Sequence, residues 1–210
     1  MTILAFEFSS ARRSVALARG GIVLSEMAET GGHRVTNAFS LAEKVLAAAK
    51  ISREEVEVIA VGVGPGSYTG IRAAIAIAQG WQLARGIKLL GISSVEVLAA
   101  QAQAEKILGR VNVVIDAQRG EFYLAAWEIS ELSRHEISPL KIAAPAEMEN
   151  LKQSGAVCIG PECEKVLFPG AAMLAQLAQA RTDFLAGEKL EPIYLRETAF
   201  VKAAPLTRSY

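Results

Sequence analysis

The stretch of this 210-residue chain best equipped for chemistry is a glycine-rich turn, GVGPGSYTG over residues 62–70. An apolar run leads into it and a helical pattern leads out. Such a turn can expose backbone N–H groups at the positive end of a helix dipole and bind an anion there. It can equally be a tight strand-to-helix connection. Gly64, Gly66, Ser67 and Thr69 are the candidate phosphate contacts. Two specific motifs are excluded. A P-loop needs Lys and Ser/Thr after its last glycine, but Gly70 is followed by Ile71 and Arg72. The dinucleotide fingerprint needs a third glycine where Thr69 stands.

Glu7 and Asp116 each close an apolar run and precede a tight turn. Facing each other across a cleft, with Ser9 beside the first, they could hold a hydrated Mg²⁺; alternatively each caps a strand at a sheet edge. The histidines are His33 and His135, with Asn37 and Pro139 four residues on, so a helical zinc pair cannot be built from them. No metal site is expected. No G-x-S-x-G nucleophile elbow is present. Cys158 and Cys163 are too few for a disulfide framework and read as ordinary reduced thiols.

The elements that must position these residues follow from periodicity. Residues 3–8, 14–19 and 22–27 read as an antiparallel three-strand meander, with Gly20-Gly21 as a turn signal. A helix follows over about 35–50, with Val35, Phe39, Ala42 and Leu46 on its apolar stripe. A β-branched strand at 56–63, a helix at 69–84, a short strand at 88–91 and a third helix complete the first half. The second half begins again with strands at 111–116, 121–128 and 135–143. It continues with a helix at 145–153, a strand at 157–160 and a long helix at 171–185. Meanders followed by helix-strand units argue for an α/β fold of two lobes, divided as 1–105 and 106–210.

The helix at 69–84 is apolar nearly all round. Its polar residues Arg72, Gln79 and Gln82 fall on one narrow stripe, so more than one face must be covered. A sheet can cover one face, and the first helix or another chain the rest. Ile71, Ala74, Ile75 and Ala78 are therefore candidate partner contacts along with the stripe of the first helix. The balance of charges, 22 basic against 22 acidic, removes the strongest reason to expect direct binding to nucleic acid or an anionic membrane. No run reaches the length of a membrane span, the opening strand is too short for a signal peptide, and the cytoplasm is the expected location.

Four strings occur in order along nearly the whole chain: ILAFEFSS at 3–10, GPGSYTGIR at 64–72, IDAQRGEFY at 115–123 and EPIYLR at 191–196. Together they resemble the TsaB (YeaZ) family of the bacterial pathway that makes threonylcarbamoyladenosine beside the tRNA anticodon. The resemblance implies a two-lobed actin-like ATPase (ASKHA, RNase H-like) fold with mixed sheets flanked by helices. It also implies a degenerate paralogue of the catalytic subunit TsaD, once described as an M22 glycoprotease. TsaD holds metal through His-x-x-x-His, and the matching positions here are Ser94 and Leu98. The implied role is a non-catalytic subunit that binds a TsaD-type subunit through its first two helices, alongside a TsaE-type ATPase, and meets tRNA only through that complex. The isolated chain could homodimerise through the same surface. No cofactor is required on this reading, with ATP or ADP at most shared with the partner. The family usually has Asp-Thr where this chain has Glu7-Phe8, which weighs against ATP chemistry here. The competing expectation is a self-sufficient actin-like ATPase or phosphotransferase using Glu7, Asp116 and the glycine-rich turn.

Overall fold

The computed structural model describes residues 1–30 and 38–195. The chain opens with β1 (Thr2–Glu7), β2 (Arg12–Arg19) and β3 (Ile22–Thr30), paired antiparallel in sequence order as the turn signals predict. After α1 (Ala38–Ala49), strand β4 (Val58–Gly62) inserts parallel to β1. Helix α2 (Tyr68–Arg85) carries the chain to β5 (Lys88–Ile92), parallel to β4. The first sheet therefore runs β3-β2-β1-β4-β5.

Helix α3 (Ser94–Ala104) leads into β6 (Gly109–Asp116), β7 (Phe122–Ile129) and β8 (Arg134–Ala143), again an antiparallel meander. Helix α4 (Pro145–Gln153), β9 (Val157–Gly160) and the two-residue β10 (Lys165–Val166) finish the second sheet, ordered β10-β9-β6-β7-β8. Read from the meander side, both sheets have one plan: three antiparallel strands, then two parallel ones. This doubled, RNase H-like arrangement is the two-lobed actin-like fold.

Strand alternation sorts the first core. On β1, Leu4 and Phe6 point toward α1 and α2, while Ile3 and Ala5 point to the opposite face. Helix α3 lies between the lobes. Its Val97 joins the core of the first sheet, and Val95, Leu98, Ala99 and Ala102 join that of the second. The run of small residues lets one helix serve both sheets.

The division expected at residue 105 separates the two sheets but not the two lobes. Helix α5 (Ala171–Gln179) packs back on the first sheet, where Ala171, Leu174, Ala175 and Ala178 are buried and the Ala171 N–H donates to Ser14 Oγ at 2.9 Å. This helix also ends before the expected residue 185. Arg181 turns to Asp183, with Nε–Oδ1 at 2.8 Å, and the Leu185 N–H donates to the Leu89 carbonyl on edge strand β5 at 2.9 Å. The unpaired edge of β5 thereby gains a partner that a continued helix could not supply. From there the chain runs as a strap along α2, through a 3-10 turn at Gly187–Lys189.

Candidate functional site

Glu7 is where sequence and structure part. Strand alternation sends its side chain toward α3 and not into the space between the lobes. It is fully buried. Its Oε1 accepts from the Ser9 N–H at 2.8 Å and its Oε2 from the Ser94 hydroxyl at 3.1 Å. The carboxylate lies against Gly62, whose lack of a Cβ makes the room; any side chain there would overlap the acid. Burial pushes the Glu7 pKa above its ordinary value and outweighs the hydrogen bonds from Ser9 and Ser94, which act to lower it.

Asp116 sits elsewhere, in the wall of a cleft of about 670 Å³ between the lobes. Its Oδ1 accepts from the Gln118 N–H at 2.7 Å and its Oδ2 from the Gln118 side-chain amide at 2.8 Å. Glu7 does not line this cleft. The expected pairing of Glu7 with Asp116 across a bound Mg²⁺ is therefore not formed, because β1 turns its last side chain into the core. Among the described residues no group of three or more His, Cys, Asp or Glu is placed to hold a metal ion. Ser94 and Leu98 are both fully buried.

The glycine-rich turn does border the cleft through Gly66, Ser67 and Thr69, as does Ser9. Its glycines have an internal cause. Gly66, at φ +146°, and Gly70 lie so close to the Ser9 and Phe8 carbonyls that a Cβ on either would strike backbone. The Ser67 N–H, at the α2 N-cap, donates to the Ser9 carbonyl at 2.6 Å. Gly64 is likewise engaged, its carbonyl accepting from the Ser94 N–H at 2.8 Å. The acid pair is thus not assembled at the cleft, and the Ser67 N–H and Gly64 carbonyl are turned to internal partners.

The two remaining sequence features take ordinary places. Cys158 and Cys163 are free and half-buried, and burial pushes the Cys163 thiol up to about 12. His135 is exposed on β8, while His33 lies outside the described residues.

The second candidate surface is α2 with α1. Here the structure reverses most of the expected contacts. Ala42, Leu46, Ile71, Ala74, Ile75 and Ala78 are all buried against their own sheet. Val35 lies outside the described residues, and Phe39 alone of the expected set faces solvent, 56% exposed. The apolar stripe with the strongest periodicity is the one the sheet uses.

The outward face of α2 consists of Thr69, Arg72, Ala73, Ala76, Gly80, Leu83 and Ala84, with Leu83 89% exposed. Its flanks are occupied. On one side the strap is fastened by the Gln stripe: Gln79 donates to the Gly187 carbonyl at 2.8 Å, and Gln82 accepts from the Gly187 N–H at 2.6 Å. On the other side a shallow groove lies between Phe39, Trp81 and the ion-rimmed turn at Arg53 and Glu54. Neither the strap nor the outward stripe carries a signal in sequence periodicity, because both depend on which flanks other segments occupy.

Comparison with known proteins is consistent along the whole chain. The family model described as TsaD, tRNA N6-adenosine threonylcarbamoyltransferase, matches residues 4–197. The tRNA threonylcarbamoyladenosine biosynthesis protein TsaB of Escherichia coli is 28% identical over 98% of this chain and 99% of its own length. That of Haemophilus influenzae is 27% identical over 98% of each. The solved structure of YeaZ from Pseudomonas aeruginosa superposes with a TM-score of 0.77 at 26% identity, covering 92% of this chain and 99% of that one. The chain belongs to the TsaD family, and its counterparts within that family are the TsaB/YeaZ proteins.

Proposed function

We propose that this chain is a non-catalytic subunit in tRNA threonylcarbamoyladenosine synthesis, which binds and supports a TsaD-type catalytic subunit in transfer of a threonylcarbamoyl group to the adenosine next to the anticodon. The observation that carries the reading is the outward face of α2: a small, apolar strip along most of an 18-residue helix, flanked by Phe39 and Leu83. Gly80 sharpens it. A glycine inside a helix costs about 1 kcal/mol relative to alanine, and a Cβ at Gly80 would meet no atom of this chain within 4 Å. Nothing in the described fold requires glycine there, whereas close approach of a partner helix does. The internal engagement of Glu7 and of the glycine-rich turn supports a role without ATP or metal chemistry of its own. The TsaE-type ATPase and the tRNA then meet the chain through the complex, in the cytoplasm, and an isolated chain can pair with a second copy through the same strip.

The test is reconstitution. The chain should co-elute with a TsaD-type subunit and be required for modification of tRNA, while showing no ATPase activity alone. Failure to co-elute, or a steady-state ATPase rate abolished by Asp116→Ala, would overturn the proposal.

A further inference from the structure

Two residues 126 positions apart in sequence, Tyr68 and Tyr194, meet at one end of the outward face. Tyr68, at the start of α2, and Tyr194, in the strap, stack with ring centroids 5.6 Å apart and planes at 30°. The guanidinium carbon of Arg72, one helical turn on, lies 5.2 Å from the centroid of the Tyr68 ring. All three side chains are exposed. Arg72 stands on the shoulder of α2 between the outward strip and the strap.

Arg72 differs from the other arginines near α2. Arg53 is paired with Glu43, and Arg85 donates to the carbonyls of Arg53 and Glu54. Among the described residues, Arg72 has no carboxylate within ion-pair distance. It lies instead over the Tyr68 ring, which Tyr194 stacks against, and it has the Tyr194 side chain as a hydrogen-bond partner. A guanidinium positioned in this way has less freedom left to lose on binding, and its planar fork matches a carboxylate with two parallel N–H···O bonds. Tyrosine and arginine are also the side chains that most often dominate interface energetics.

We propose that Arg72, held by Tyr68 and Tyr194, is the socket for a carboxylate side chain of the TsaD-type partner, and that this ion pair fixes the register of the partner's helix along Ala73, Ala76 and Gly80. The inference rests on reading α2 as the partner-binding face. It adds a polar anchor to a strip that otherwise offers only small apolar groups, which by themselves would let a partner helix slide. A single carboxylate suits the site better than RNA, because the cleft beside Tyr68 sets Arg13 and Arg119 against Asp116 and Glu162 and so offers no continuous basic track for a phosphate backbone.

The experiment measures affinity of the full chain for a TsaD-type subunit by titration calorimetry, at low and high salt, for wild type, Arg72→Ala, Arg72→Lys and Ala76→Glu. Thermal melts of each isolated chain and retention of a labelled anticodon stem-loop by each complex are recorded in parallel. Arg72→Ala is expected to weaken partner binding about tenfold or more and to flatten its salt dependence. Arg72→Lys should recover only part, since it keeps the charge but not the fork. Unchanged affinity in Arg72→Ala, with Ala76→Glu still abolishing binding, overturns this inference while leaving the interface intact. Unchanged affinity in both Arg72→Ala and Ala76→Glu overturns the interface reading itself. Loss of stem-loop retention at unchanged partner affinity overturns the proposal in favour of an RNA contact. A fall in the melting temperature of isolated Arg72→Ala by more than about 4 °C assigns the arginine to its own fold and overturns it as well.

Discussion

The Ser94 hydroxyl donates to Glu7 Oε2 at 3.1 Å, joining the end of β1 to the first turn of α3 in the interior of the protein. With the Ser9 N–H on the other oxygen, the carboxyl is satisfied and sealed. Because its folded pKa is raised, the folded state holds the Glu7 proton more tightly than the unfolded chain does. Its contribution to stability is full below the ordinary carboxylate value and declines as pH rises through the raised folded value. Glu7→Gln keeps the shape and removes the ionisation. A thermal-melt series from about pH 5 to about pH 9 should show wild type losing stability relative to Glu7→Gln as pH rises. Parallel curves for the two proteins would contradict the assignment. Glu7→Ala should cost about 2–4 kcal/mol, since it leaves two buried donors and a cavity.

Gly62 is the other half of that arrangement. A Cβ at this position would overlap the Glu7 carboxylate, which is fully buried and cannot swing away into solvent. Gly62→Ala is expected to destabilise the protein by about 1–3 kcal/mol. In a Glu7→Ala background the same change should cost markedly less. Additive effects in that double-mutant cycle, read by urea denaturation, would mean that the two sites do not share the space described.

Ala74 and Ala76 are two residues apart on α2 and should respond in opposite ways to glutamate. Ala74 is fully buried against the first sheet, so Ala74→Glu places a charge in the core and should prevent folding. Ala76 faces outward, so Ala76→Glu should change the stability of the isolated chain by no more than about 0.5 kcal/mol. It should nonetheless abolish assembly with a TsaD-type subunit. Circular dichroism together with size-exclusion chromatography separates the two effects.

Gly80→Ala should make the isolated chain more stable, by about 0.5–1 kcal/mol, since the position is helical and the new methyl meets open space. Affinity for the partner should fall in the same variant. A gain in stability with full affinity would show that the glycine is not there for close approach.

Gln82 holds the strap at Gly187 through a 2.6 Å bond and reaches the Ile87 and Leu185 carbonyls at 3.2 and 3.3 Å. Gln82→Leu should cost about 1–2 kcal/mol by leaving the Gly187 N–H without its acceptor. Hydrogen exchange should quicken at residues 185–193 before any change in β1 or β4.

Most elements and their order were legible in the sequence, the short β10 and the end of α5 excepted. Alternation and β-branched runs marked the strands, turn residues marked the two meanders, and helical periodicity marked α1 and α2. These are properties of neighbouring residues, and their physics is local. The four family strings were legible too, as were the absence of a P-loop and of a helical histidine pair. Tertiary structure alone decided which way each element turns and what lies on it. Helix α2 has so little polar contrast that periodicity could not say which apolar side meets the sheet; Ala74 and Ala78 went inside, and Ala76 and Gly80 outside. Glu7 reads as a candidate metal ligand until the pleat of β1 turns it toward Ser94. Tyr68 and Tyr194 become neighbours only because α5 returns to the first lobe and the strap follows α2 back to its start. Such contacts join residues far apart in the chain, 87 positions for Glu7 and Ser94 and 126 for Tyr68 and Tyr194. They are set by which buried faces and unpaired edges remain once the local elements have formed, and no window of sequence contains both partners.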